Sequence, residues 1–280
     1  MKIFALLLTF SLSASAFDIP KAPFDTLKFS KTSKFSDSDT NYDFEGIVDF
    51  SGCSGSLIRF SGQPLTSKAL VLTNGHCLGM INPGNIISNK PAMKSMSIFD
   101  KQMNAFRFTS TRVVYATMTD TDITILELSE SYQDIQNKFN IQSFDLDTIR
   151  PSIGTDIEIV SGGWKRGTSC AIDAFIFNLR EGDWLFKDSI RYTEGCLTRG
   201  GFSGSPIISK GTRSVIAIHN TANELGYRCT MNNPCEVSKN GSINFSKGRR
   251  YGQQTYNIYS CLSPDFDIDL SRPGCALPKP

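Results

Sequence analysis

The chain has 280 residues, 40% of them hydrophobic, with 29 Lys and Arg against 27 Asp and Glu. That length allows one large domain or two smaller ones, each burying its own core. A net charge of +2 built from dispersed charges, with no basic tract, argues against nucleic acid as a partner.

The opening MKIFALLLTFSLSASA sets a lysine before an apolar stretch from Ile3 to Leu12 and a small-x-small site at Ala14, Ser15 and Ala16. Residues 1–16 are expected to be a secretory signal peptide cleaved near Ala16, which makes the mature protein secreted or periplasmic. The apolar stretch is far shorter than the roughly 20 residues of a membrane-spanning helix, and nothing later substitutes for it, so no membrane partner is expected. Residues 17–41 are too polar to form a core and are expected to be a loose arm or pro-segment.

Short β-branched and aromatic runs follow, broken by Gly, Asn, Pro and Ser: GIVDF, SGSLIRF, ALVLT, FRFTSTRVVYA and DITILEL. Helical spacing holds only in the linker candidate SESYQDIQNKFNIQ, residues 129–142. A second set comes after Pro151: DIEIVSGGW, AIDAFIFNL, WLFKDSIRYT, SPIIS, SVIAIHN and TYNIYSCL. The class is all-β, with one unit over residues 42–140 and another over 141–280 that carries a C-terminal extension. Short strands at regular spacing fit barrels or sandwiches.

Eight cysteines in an exported chain imply four disulfides and argue against a thiolate metal site; no metal or cofactor is expected. A Cys53–Cys77 bridge would tie two strands of the first unit beside His76 and contribute about 3 to 4 kcal/mol. Cys229 and Cys235 flank a small loop, and Cys261 and Cys275 would pin the proline-rich tail, which leaves Cys170 with Cys196. Beyond the first pair, sequence does not fix the pairing.

Acyl transfer to water needs a nucleophile, a base, a carboxylate orienting the base and donors for an oxyanion. In GGFSGSP, Ser203 stands among glycines: the missing Cβ at Gly201 and Gly204 permits a turn tight enough to aim amide hydrogens at a substrate oxygen. His76, closing VLTNGH directly before Cys77, is the base candidate, since imidazole shuttles protons near neutral pH. Asp122, at the start of DITILEL, could sit buried against His76. Asp120, two residues earlier, would face the same side, and periodicity does not choose between them.

SGCSGSLI, VLTNGHC, DITILEL and GGFSGSPI, in this order and spacing, resemble the chymotrypsin-like serine proteases over roughly residues 44–260. The resemblance implies two antiparallel β-barrels with the active site in the cleft between them, and a monomer acting on peptide or protein substrates. Ser203 would attack the carbonyl, His76 would relay the proton and Asp122, preceding I-x-[hydrophobic]-L, would fix the histidine tautomer. The amides of Gly201 and Ser203 would form the oxyanion hole.

The resemblance has departures. Phe202 replaces the aspartate that animal trypsins place before the serine, so their amino-terminal activation switch is not implied. The stretch is similar to the bacterial branch that includes glutamyl endopeptidases, in which Thr198 and His219 would receive an acidic P1 side chain. Thr221, within the edge Asn220 to Ala222, would pair with the substrate backbone. Glu194, two residues before Cys196, points instead to cleavage after Lys or Arg. A silent homologue that uses the barrels for binding is the other alternative. GGW at 162–164 matches a family turn and by itself reads as a core tryptophan.

Overall fold

Alternating β-branched and aromatic residues make nearly all the regular secondary structure of the described residues strand. A computed structural model describes residues 42–280; the expected signal peptide and arm lie outside the described residues. The first seven strands are β1 (Ile47–Phe50), β2 (Cys53–Arg59), β3 (Lys68–Thr73), β4 (Ile86–Pro91), β5 (Ser95–Phe99), β6 (Ala105–Thr117) and β7 (Ile123–Ser131). Six of them pair in the order β1-β5-β6-β7-β3-β2, and β1–β2 pairing closes the ring, with β4 flanking β6. Val48, Leu57, Val71, Ile98 and Leu126 lie in its buried core.

Helix α1 (Tyr132–Phe139) follows within the expected linker. Ser131 caps it: its hydroxyl accepts from the Asp134 amide, while the Asp134 carboxylate accepts from the Ser131 amide. Asn140 in the left-handed conformation ends it.

The remaining strands are β8 (Phe144–Leu146), β9 (Asp156–Ser161), β10 (Arg166–Glu181), β11 (Trp184–Tyr192), β12 (Pro206–Ser209), β13 (Ser214–Ala222), β14 (Cys235–Val237), β15 (Ile243–Asn244) and β16 (Arg250–Gln254). A second ring runs β13-β12-β9-β10-β11-β16 and closes through β13–β16 pairing. Three-residue β8 pairs in parallel with β2 on one side and β13 on the other, so one sheet runs through both rings. The fold is the expected two-barrel, all-β class.

TYNIYSCL does not form the expected strand. Residues Tyr256–Cys261 make a 3-10 turn with Ile258 and Cys261 buried, and the strand that closes the second barrel is the preceding RYGQQ. Its polarity hides it: Gln253 and Gln254 are buried, their amides donating to Ser189 Oγ (3.1 Å) and the Asp188 carbonyl (2.6 Å).

The disulfides join Cys53–Cys77, Cys170–Cys196, Cys229–Cys235 and Cys261–Cys275. The tail carries its buried Leu277 to the first barrel, where Tyr115 donates to the Pro278 carbonyl at 2.9 Å.

Candidate active site

The apolar run of β3 ends at Thr73, and the chain turns through Asn74 and Gly75 into a 3-10 turn, His76–Leu78. The Cys53–Cys77 bridge ties this turn to the start of β2. Asp122, 1% exposed, stands just before β7 and grips the turn twice: Oδ2 lies 2.7 Å from His76 Nδ1, and Oδ1 accepts the His76 backbone N–H at 3.0 Å. Asn74 Nδ2 donates to the Asp122 carbonyl at 2.8 Å. Burial pulls the His76 pKa down, but the charge and hydrogen bond of Asp122, with the charge of Glu181, more than offset it, so the pKa stands above the ordinary 6.5.

Asp120 does not share that side. Its positive φ of 59° turns it away, and its carboxylate pairs with Lys187 Nζ at 2.7 Å.

Ser203 follows a turn in which the Phe202 amide donates to the Arg199 carbonyl at 3.0 Å. Gly201, third in that turn, has φ +93°, which makes the turn type II. A Cβ on Gly201 would lie 2.7 Å from Trp164 Nε1, and one on Gly204 (φ +79°) 2.2 Å from the Ser54 carbonyl oxygen. Ser54 anchors the turn to the first barrel: its N–H donates to the Ser203 carbonyl (2.7 Å) and its hydroxyl to the Gly201 carbonyl (3.2 Å). Among the described residues, the amides of Gly201 and Ser203 have no acceptor. The Ser203 hydroxyl donates to the Asn220 carbonyl at 3.4 Å instead of to His76.

Trp164 is not a core residue. It is 41% exposed, donates through Nε1 to the Gly200 carbonyl at 2.7 Å, and carries the Arg199 guanidinium 3.5 Å above its ring.

His76, Asp122, Ser203, His219 and Thr221 line one cleft. His219 is 3% exposed, meets the Tyr192 hydroxyl through Nδ1 at 3.2 Å and packs against the edge of Phe202. Burial, Arg250 and His76 push its pKa down to about 3, so it is neutral near pH 7. Thr198 is buried, and its Oγ1 has no protein partner among the described residues. Glu194 is exposed and contributes nothing to the lining.

Sequence reasoning missed three charged residues in and beside this cleft, Glu181, Glu224 and Arg250. Arg250, which pairs with Ala222 across β13 and β16, donates through Nε to the Thr198 carbonyl at 3.2 Å. Glu181, at the end of β10, turns a buried carboxylate toward the cleft. Glu181 lines the cleft and Arg250 stands beside Thr198 and His219, each brought there by strand pairing between distant segments, which leaves no local motif.

No protein-family model and no curated protein matches the sequence. Among solved structures, the MamO protease domain from Magnetospirillum magneticum is 11% identical over 80% of this chain and 98% of that one, with a TM-score of 0.51. A Nocardiopsis protease is 14% identical, covering 76% and 93% of the two chains at TM-score 0.44. A glutamic-acid-specific serine protease is 17% identical, covering 75% and 91% at TM-score 0.41. Identities this low speak to architecture alone, and the architecture of the described residues is the chymotrypsin-like serine-protease fold.

Proposed function

We propose that the protein is an exported serine endopeptidase that cleaves peptide bonds through an acyl-enzyme, with Ser203 as nucleophile, His76 as base and Asp122 as its orienting carboxylate. One observation carries this reading: a buried Asp122 holds His76 Nδ1 at 2.7 Å in the cleft that Ser203 also lines. Asp122 accepts a hydrogen bond from Nδ1–H, which holds that proton on Nδ1 and leaves Nε2 as the bare nitrogen that takes a proton. In the reaction the Ser203 hydroxyl would turn from the Asn220 carbonyl toward that nitrogen by rotation about its Cα–Cβ bond. The serine oxygen then bonds to the substrate carbonyl carbon, its proton passes to His76, and the developing oxyanion receives the unengaged amides of Gly201 and Ser203. Collapse expels the amine with the proton from His76, and water repeats the sequence on the acyl-enzyme.

A fluorophosphonate should add its phosphonyl mass to the intact protein, and Ser203→Ala should abolish the adduct. No adduct on properly folded, disulfide-bonded wild type would leave the barrels as a binding module.

Trp164 would hold the oxyanion site open. Because the peptide is planar, a Gly200 carbonyl drawn to Trp164 Nε1 fixes the Gly201 N–H in the opposite direction. A flip to a type I turn would put the carbonyl oxygen where that N–H now points. Trp164→Phe keeps the ring under Arg199 but removes the donor. We expect kcat to fall about tenfold to a hundredfold with KM little changed, a part of the roughly hundredfold to thousandfold value of one oxyanion donor. Steady-state kinetics on one peptide checks it.

The P1 preference would be acidic. Arg250 supplies a positive charge beside Thr198 and His219, and Thr198 Oγ1 is a buried polar group awaiting a partner. A neutral His219 would contribute a hydrogen bond and no charge.

A further inference from the structure

Glu181 is used by none of these steps, yet it is a carboxylate only 7% exposed in the wall of the cleft. Its Oε1 accepts the Asn232 amide at 2.7 Å, and the Thr221 hydroxyl also bonds to it. It is close enough to His76 and Asp122 to act on both electrostatically. The hairpin that carries it is fixed in place, because Trp184 Nε1 donates to the Ile81 carbonyl, beyond the His76 turn, at 2.8 Å.

A substrate strand lying along Asn220 to Ala222 sends successive side chains to opposite faces. If P1 goes to the Thr198, His219 and Arg250 side, P2 goes to the His76 side, where Met80, Met118 and Trp184 wall the cleft with Glu181. An apolar wall ending in a carboxylate matches a long aliphatic stem tipped by a cation. We propose that Glu181 sets specificity for the residue before P1, and that this P2 subsite takes a lysine or arginine side chain. The inference rests on the peptide-cleaving site above, but it concerns binding and survives without turnover.

Burial pushes the Glu181 pKa up to about 7; the Thr221 and Asn232 hydrogen bonds and the charge of His76 oppose this, while Asp122 adds to it. The carboxylate is therefore ionised above neutrality, and a basic P2 should be preferred more strongly at pH 8 than at pH 6. Glu224, exposed on the same cleft, does not change that sign.

The test compares two peptides with Glu at P1 that differ only in lysine or norleucine at P2. Their kcat/KM ratio cancels the titration of His76, which both share. We expect the lysine peptide to lead by about tenfold or more at pH 8, and Glu181→Gln, which retains an acceptor for Asn232, to bring the ratio near one. Fluorescence anisotropy of the same peptides on Ser203→Ala reports the preference without hydrolysis. A ratio near one or reversed in the wild-type subsite, or one that persists in Glu181→Gln, overturns the assignment. Absence of hydrolysis with the anisotropy preference intact tells against catalysis and leaves the subsite standing.

Discussion

Replacing Asp122 with asparagine is expected to lower kcat about ten-thousandfold while leaving KM within a few-fold. Both carboxylate oxygens accept: Oδ1 takes the His76 backbone N–H and Oδ2 takes Nδ1–H. An amide has one acceptor for these two donors. Keeping the backbone bond turns the NH2 toward the ring, which drives the imidazole proton to Nε2 and disarms the base. The same variant tests the sign of the pH dependence. His76 works only when unprotonated, and its pKa lies above 6.5, so the acid limb of kcat/KM in the wild type should fall above pH 6.5 and activity should rise through it. The substitution removes the largest raising influence, so the residual activity of Asp122→Asn should show that limb at lower pH. A wild-type limb below pH 6, or an Asp122→Asn enzyme within tenfold of wild type, would mean that His76 is not the base.

Arg250→Met is expected to cost substrates with Glu at P1 about thirtyfold to three-hundredfold in kcat/KM, and to bring Glu and Gln at P1 close to parity. The guanidinium anchors to the Thr198 carbonyl (3.2 Å) and the Gly248 carbonyl (2.7 Å), which leaves donors for a carboxylate. Burial lowers the Arg250 pKa, so the site favours a partner of opposite charge. Arg250→Lys keeps the charge without the planar fork and should recover only part of the loss. Profiling a mixed peptide library with wild type and both variants reads this directly, and enrichment of Lys or Arg at P1 in the wild type would sink the acidic assignment.

How much of this was legible in the sequence depends on how local each determinant is. His76, Asp122 and Ser203 each sit in a short apolar or glycine-rich motif whose turn chemistry is visible in a few letters, and the helix at Tyr132–Phe139 shows in the spacing of its apolar residues. Periodicity alone left Asp122 and Asp120 equivalent and only the family resemblance preferred Asp122; the physical reason is a backbone angle, because the positive φ at Asp120 breaks the alternation. Arg250 and Glu181 lie in segments that look like ordinary polar strand ends; they gain meaning only when β16 lies against β13 and β10 folds back on β11. Trp164 showed its glycine-rich turn but not its use, since Gly200 is far away along the chain.

The three residues of β8 belong to neither barrel alone. They hydrogen-bond to β2 at Ile58 and to β13 at Val215, so a cut on either side would strip one half of a seam that its partner keeps. The halves are therefore expected to unfold together, as a single transition in calorimetry.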